Sequence, residues 1–245
     1  MKQLIIISAL IAMLGVGSCK KTTGLPPTAI ASFNIVNVIP DAVNGVTPIF
    51  GTLDSPYHYA DLYNSIYYSG SFNYAPENGV NSLAIYQSTD TPTAKFDNYI
   101  FNGNITVKTG AIYSLFLGGD TSKVDTLLTQ DIIPFYAPSD SSVGIRFVNM
   151  STGSMPFSVT LNGNPASQTE FSNIAYKGVT GWNKYPGTSA VGGGYTFVLR
   201  DQATGDSLTS FTWNYTLYRS NTIVVSGSEA VNATYPLNLF QMNNY

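Results

Sequence analysis

From about residue 31 onward, apolar and polar positions alternate with a period of two. Tyr195, Phe197 and Leu199 alternate with Thr196, Val198 and Arg200, and Ile145, Phe147 and Asn149 alternate with Arg146, Val148 and Met150. That period sends successive side chains to opposite faces of a strand. No long stretch of this region repeats apolar residues at i, i+3, i+4 and i+7, and only Ala60–Tyr67 offers a short helical turn. Phe157–Leu161 runs into Asn162-Gly163, and Asn102-Gly103 lies between Tyr99–Phe101 and Ile105–Val107. Asn-Gly between apolar runs is the strongest short-range hairpin signal. Many short strands with regular turn signals predict an all-β chain built of antiparallel β-sandwiches. The pattern leaves immunoglobulin-like and prealbumin-like topologies both open.

The chain reads as one module written twice. Ala31–Ala42 (ASFNIVNVIPDA) aligns with Val143–Ser154 (VGIRFVNMSTGS) at an offset of 112, with Val36-Asn37 on Val148-Asn149. Gly70 and Tyr74 fall on Gly181 and Tyr185 at 111, and Tyr99 and Phe101 on Phe211 and Trp213 at 112. Ile112, Leu128 and Gln130 fall on Ile223, Leu239 and Gln241 at 111. The expected organisation is a signal peptide at 1–18, a lipidated Cys and tether at 19–30, a first sandwich module at 31–137, a polar linker at 138–142 and a second module at 143–245.

The leader differs in kind. Lys2 precedes an apolar run from Leu4 to Val16, too short to span a bilayer and of signal-peptide length. Val16-Gly17-Ser18-Cys19 resembles the bacterial lipobox, which implies cleavage before Cys19 and its acylation. More than one acyl chain is needed for stable anchoring, and a triacylated Cys supplies that. The expected partner through Cys19 is therefore a membrane, and the expected location the cell envelope, most simply the outer membrane. Pro26-Pro27 stiffens the tether. Bacteroidetes surface-export signals carry acidic residues soon after the Cys. Lys20-Lys21-Thr22 departs from that pattern, which leaves surface-exposed and periplasm-facing placements both open.

Composition narrows the chemistry. Charged residues are only 10% of the 245, with 11 Lys+Arg against 14 Asp+Glu. An acidic chain with three Arg lacks the basic face that nucleic-acid binding needs. One Cys excludes a disulfide framework, and one His, His58, leaves no Cys/His zinc site and no catalytic triad. No metal and no cofactor is expected. Asp120, Asp125 and Asp131 cluster in sequence but lack the Gly and terminal Glu of a calcium loop, so they read as solvated loop carboxylates. Gly192-Gly193-Gly194 lacks the Lys and helix of a phosphate loop.

Two sets of residues remain. Asn37 and Asn149 end equivalent strands, where a side-chain amide satisfies the backbone of the following loop. Tyr57–Tyr74 holds Tyr57, Tyr59, Tyr63, Tyr67, Tyr68 and Tyr74, and the second module carries Phe171, Tyr176 and Trp182 in the corresponding stretch. Flat rings with polar tips stack on sugars or anchor protein partners, so these six Tyr and Trp182 are the candidate ligand-binding residues. The competing reading is that they are ordinary strand and packing residues.

Asn37-Val38-Ile39-Pro40-Asp41-Ala42 after a hydrophobic strand resembles the opening of the bacterial envelope family called domain of unknown function 4397. Tyr176–Trp182 followed by Gly194–Asp201 is similar to that family's later pattern, whereas Ser151-Thr152-Gly153 departs from it. The Ser-Cys-Lys-Lys start is similar to lipoproteins of Bacteroidetes-type bacteria. The resemblance implies an envelope-anchored β-module and no activity. The expectation is a non-catalytic envelope lipoprotein that binds a ligand or another envelope protein, or serves a structural role. The alternatives are a glycan-binding accessory lipoprotein using the Tyr-rich surface and a carboxylate-dependent hydrolase.

Overall fold

The computed structural model describes residues 29–51, 65–88, 99–187, 194–230 and 233–244. The described residues are almost entirely strand and turn, as the alternation predicts. A first set comprises β1 (Ser32–Asn37), β2 (Val46–Phe50), β3 (Gly70–Tyr74), β4 (Gly79–Gln87), β5 (Tyr99–Val107), β6 (Ile112–Asp120) and β7 (Lys123–Gln130). A second comprises β8 (Ser142–Asn149), β9 (Phe157–Leu161), β10 (Thr169–Ile174), β11 (Asn183–Pro186), β12 (Tyr195–Asp201), β13 (Ser207–Trp213), β14 (Ser220–Ser226) and β15 (Asn238–Asn244). Pro138–Asp140 makes one short 3-10 turn between them.

Each set forms two sheets, ordered β3-β1-β6-β7 with β2-β4-β5, and β11-β8-β14-β15 with β10-β9-β12-β13. The first strand of each set pairs in parallel with its penultimate strand, β1 with β6 and β8 with β14, so the sheets are not purely antiparallel. In an immunoglobulin sandwich the first two strands share a sheet. Here β1 and β2 lie in different sheets, as do β8 and β9, which selects the prealbumin-like order of the two.

The ladders fix which residues of the two sets correspond. Asn37 pairs with Leu117 and Asn149 with Val225, which makes Leu117 and Val225 equivalent at an offset of 108. Leu117 pairs with Thr126 and Val225 with Leu239, an offset of 113 for the last strands. The nearly constant offset expected from sequence holds for β1 and β8 but not beyond, because the two sets differ in connection length. The Asn102-Gly103 turn is also corrected. Both residues lie inside the unbroken strand β5, opposite Ala84 and Leu83. The Phe101 ring covers Gly103, lying 3.1 Å from where a Cβ would sit, so this glycine makes room for a ring rather than for a turn. Asn162-Gly163 does follow β9, with Gly163 at φ +89°, but the connection to β10 runs on to Gln168.

Each pair of sheets encloses its own core. Phe33, Ile35, Val46, Leu83, Ile85 and Leu115 fill the first, and Phe147, Phe157, Val159, Phe197, Trp213 and Ile223 the second. The other faces of β1, β6, β8 and β14 are buried too. Val36, Val38 and Phe116 meet Val148, Met150, Val224 and Met242 in a third cluster, flanked by Leu127 and Phe240. The sheet β3-β1-β6-β7 therefore packs on β11-β8-β14-β15, and β8 and β14 are buried along their whole length. The equivalent positions Val36 and Val148, Val38 and Met150, Phe116 and Val224, and Leu127 and Phe240 all lie in this seam. Matched contacts of this kind are what an isologous two-fold interface produces, here within one chain.

Candidate functional site at the seam between the sandwiches

Strand β1 ends on Asn37 and strand β8 on Asn149, both fully buried. The Asn37 side chain accepts from the Ile39 amide at 2.9 Å and donates to the Ile66 carbonyl at 2.8 Å. The Asn149 side chain accepts from the Ser151 amide at 2.9 Å and donates to the Ile174 carbonyl at 3.0 Å. Each amide thus closes the loop that follows it and clamps a second turn beside it.

The clamped turns share a sequence at an offset of 108. Ile66-Tyr67-Tyr68-Ser69-Gly70 corresponds to Ile174-Ala175-Tyr176-Lys177-Gly178. Ser69 and Lys177 both adopt positive φ, +63° and +61°, and their amides bond the Asn37 and Asn149 carbonyls. Gly70 is therefore the counterpart of Gly178, not of Gly181. A side chain at either glycine would strike a carbonyl, at 2.9 Å (Tyr67) and 2.6 Å (Ala175).

Both turns send a tyrosine across the seam. The Tyr68 hydroxyl shares a 2.9 Å hydrogen bond with Ser226 Oγ, and the Tyr176 hydroxyl donates to Asp125 Oδ2 at 2.9 Å. Their neighbours follow: Asn238 Nδ2 donates to Ser69 Oγ at 3.0 Å, and Lys177 Nζ pairs with Asp125. Burial pushes the Asp125 carboxyl up, but the Lys177 and Tyr176 hydrogen bonds together outweigh it and hold the group below the usual carboxylate range. Burial first, and then the Asp125 carboxylate, hold the Tyr176 hydroxyl protonated far above its usual value.

A charge pair pins the seam. Asp131, just past β7, accepts from Arg146 Nη2 at 2.8 Å, with the Arg side chain 5% exposed and the Asp side chain 0% exposed. Ser114 and Thr129 donate to the same carboxylate at 2.6 and 2.7 Å. Arg146 Nε donates to Thr222 Oγ1 at 2.8 Å, and the guanidinium lies 4.7 Å from the centre of the Trp182 ring. Both Asp131 oxygens and two guanidinium nitrogens thus have hydrogen-bond partners, which is what offsets the cost of burying the pair. The sequence reading of Asp131 as a solvated loop carboxylate is overturned. Asp125 is likewise committed to partners, and only Asp120 serves its own turn, accepting from the amides of Ser122 and Lys123 at 2.9 Å.

A cleft of about 570 Å³ opens beside the seam, between the β6–β7 turn, Pro40, Thr152 and Tyr176. Hydrogen bonds from Ser122, and then the Lys123 amide, hold the Asp120 carboxyl on its rim below the usual range.

Of the residues expected to bind a ligand, Tyr57, Tyr59 and Tyr63 lie outside the described residues, as does Cys19. Tyr67 is 64% exposed. Tyr68 bonds across the seam, Tyr74 packs between Phe50 and Phe72 with ring centres 5.2 Å from each, and Trp182 lies against Arg146. Among the described members of the set, only Tyr67 is largely exposed, and Tyr68, Tyr74 and Trp182 are each engaged in packing or hydrogen bonds. Sequence reasoning missed Arg146, Asp131, Asp125 and Tyr176 as a group. The available signals were the lone Arg in the apolar run of β8 and the repeated Ile-x-Tyr-x-Gly. Among the described residues, no cluster of three or more His, Cys, Asp or Glu could hold a metal ion, and no helix is long and apolar enough to cross a membrane.

No family model matches the chain, and no curated protein matches it. Among solved structures, the chain is similar to a family 26 carbohydrate-binding module of Eubacterium rectale Amy13K in complex with maltoheptaose, at 10% identity, covering 87% of this chain and 97% of that one, with a TM-score of 0.30. It is similar to a streptococcal virulence factor described by its α-glucan binding, at 11% identity over 79% of this chain and 92% of that one, TM-score 0.25. A Bacteroides ovatus adhesin candidate matches at 9% identity over 94% of this chain and 99% of that one, TM-score 0.21. Similarity at these scores carries no weight for function.

Proposed function

We propose that the chain is a non-catalytic cell-envelope lipoprotein, held to the outer membrane through acylated Cys19 and presenting a double β-sandwich as a binding or structural module. One observation carries the non-catalytic part. Of the three carboxylates brought together in sequence, Asp131 is buried against Arg146, Asp125 is tied to Lys177 and Tyr176, and Asp120 closes its own turn. A hydrolytic acid needs a carboxyl raised toward neutral pH beside a second, free carboxylate. Asp120 and Asp125 are instead held low, and Glu229, which burial and then Asp201 push up, faces a carboxylate whose Oδ1 already accepts from the Ala203 and Thr204 amides. The anchor rests on the apolar leader ending in Val16-Gly17-Ser18-Cys19, and the resemblance to the domain of unknown function 4397 family supports the envelope assignment.

A glycan-binding role through the Tyr-rich stretch has one observation in its favour, the exposed ring of Tyr67. Detergent-phase partition of cell extracts tests the anchor. The wild-type chain is expected in the detergent phase and Cys19→Ser in the aqueous phase. A wild-type chain found wholly in the aqueous phase contradicts the proposal.

A further inference from the structure

The two-fold arrangement of the seam is broken at one place, and the break makes a site. In the first sandwich, β6 and β7 are joined by Thr121-Ser122 alone. In the second, the equivalent strands β14 and β15 are joined by Gly227–Leu237. Gly119 and Gly227 occupy the same position, both at φ +81°, and each approaches the backbone of its own hairpin too closely for any side chain. Beyond them the two sides diverge. The long connection folds back, with Ser228 bridged to Pro236, and lays the Tyr235 ring 6.3 Å from Tyr68. The short connection has nothing to lay over Tyr176, the counterpart of Tyr68, and the cleft of about 570 Å³ opens there.

We infer that this cleft, lined by Pro40, Asp120, Lys123, Val124, Thr152 and Tyr176, binds a neutral, hydroxyl-rich ligand of one or two sugar rings. The volume is in the range of small-molecule sites. Pro40, Val124 and the Tyr176 ring supply apolar surface for the C–H faces of a sugar, and Asp120, Lys123 and Thr152 supply acceptor, donor and hydroxyl for its edges. Asp41, Asp120 and Asp125 around the cleft stand against Lys123 and Lys177, and Asp41 is taken up by the Thr121 amide and hydroxyl, so the residual charge is small and disfavours an anion. One Asp120 oxygen already takes hydrogen bonds from Ser122 and Lys123, and Asp125 is tied to Lys177. Neither carboxylate therefore demands a cationic partner. Both sandwiches contribute, Pro40 to Asp125 from one and Thr152 and Tyr176 from the other, so the site exists only in the packed pair. The inference rests on the binding-module reading and replaces the Tyr-rich stretch as the place where binding occurs.

The test is a titration of the full mature chain with maltose, cellobiose and lactose, followed by amide NMR shifts, with glycine and acetate as charged controls. At least one disaccharide is expected to saturate at millimolar concentration or below, and the controls are not. Thr152→Trp, at an exposed position on the cleft rim, is expected to weaken that binding at least tenfold with an unchanged melting temperature. Lys123→Ala is expected to weaken it several-fold, and Tyr67→Ala to leave it unchanged. Saturation by glycine alone, or full affinity in a folded Thr152→Trp chain, overturns the inference. Loss of sugar binding in Tyr67→Ala overturns the cleft but keeps the binding-module reading. If no disaccharide binds, the ligand class falls, while the envelope reading stands or falls on the partition of Cys19→Ser.

Discussion

The interiors of the sandwiches and the centre of the seam between them are both buried, yet they are built from different material. The second interior is a cluster of rings, with Phe147, Phe197, Tyr185 and Trp213 in edge and tilted contacts at centroid distances of 5.6 to 6.3 Å. Its one buried indole N–H is answered by Asn221 at 2.9 Å. The seam is a smaller, mainly aliphatic patch in which Val36, Val38, Val148, Met150 and Val224 surround the single fully buried ring of Phe116, bordered by the Asp131–Arg146 pair and by the crossing tyrosines. An interior needs only volume and apolarity to hold one strand order. A seam between two similar halves must also specify which face meets which, and directional contacts do that. Asn34 occupies the place in β1 that Arg146 occupies in β8, so the charge pair exists on one side of the two-fold only. A seam formed by two copies of the second sandwich would leave Arg146 without its carboxylate.

Substitutions that break this comparison differ in size. Phe197→Ala removes a fully buried ring from the second interior and is expected to cost about 4 kcal/mol in urea denaturation. Asn149→Ala removes the acceptor of the Ser151 amide and the donor to the Ile174 carbonyl, all at buried positions, and is expected to cost about 2 kcal/mol. Asn37→Ala, at the matching place, is expected to cost a similar amount.

The smallest effect expected is a pH effect at the rim of the seam. The folded-state pKa of Asp125 is depressed. Its stabilising contribution is therefore fully present above the unfolded value of about 3.9 and is lost as pH falls through the lower folded value. The side chain is 40% exposed, so solvent screens much of the effect. Asp125→Asn is expected to leave a shallower acid limb in a plot of melting temperature against pH, below about pH 4, and to lower the plateau slightly. An acid limb identical to that of the wild type would show that the contacts of Tyr176 and Lys177 with Asp125 do not form.

The interiors were legible in sequence and the seam was not, for a physical reason. Alternation identifies one apolar face, and Phe33, Ile35, Ile145 and Phe147 on that face do line the cores. The opposite face of the same strands, Val36, Val38, Val148 and Met150, carried the complementary signal. A strand apolar on both faces is buried on both. The positions of Asn37 and Asn149 at equivalent strand ends could be read directly, because a polar residue closing an apolar run has few other uses. Asp131 and Arg146 could not, because a partner across the seam is set by packing and not by spacing. The Asn102-Gly103 signal failed because local turn propensity was outweighed by the continuous pairing of β4 with β5, from Gly79 with Val107 to Tyr86 with Tyr99. Tyr57, Tyr59 and Tyr63 lie outside the described residues, so the ring-rich stretch is represented by Tyr67, Tyr68 and Tyr74 alone.

The claim on which the rest depends is that the two sandwiches pack face to face through the Asp131–Arg146 pair. A double-mutant cycle with Arg146→Met and Asp131→Leu, read by chemical denaturation, tests it directly. Each single change strands one buried charge and is expected to cost about 3 kcal/mol or more, while the double change recovers most of that loss, giving a coupling of at least about 2 kcal/mol. Additivity of the two changes to within about 0.5 kcal/mol would contradict the account.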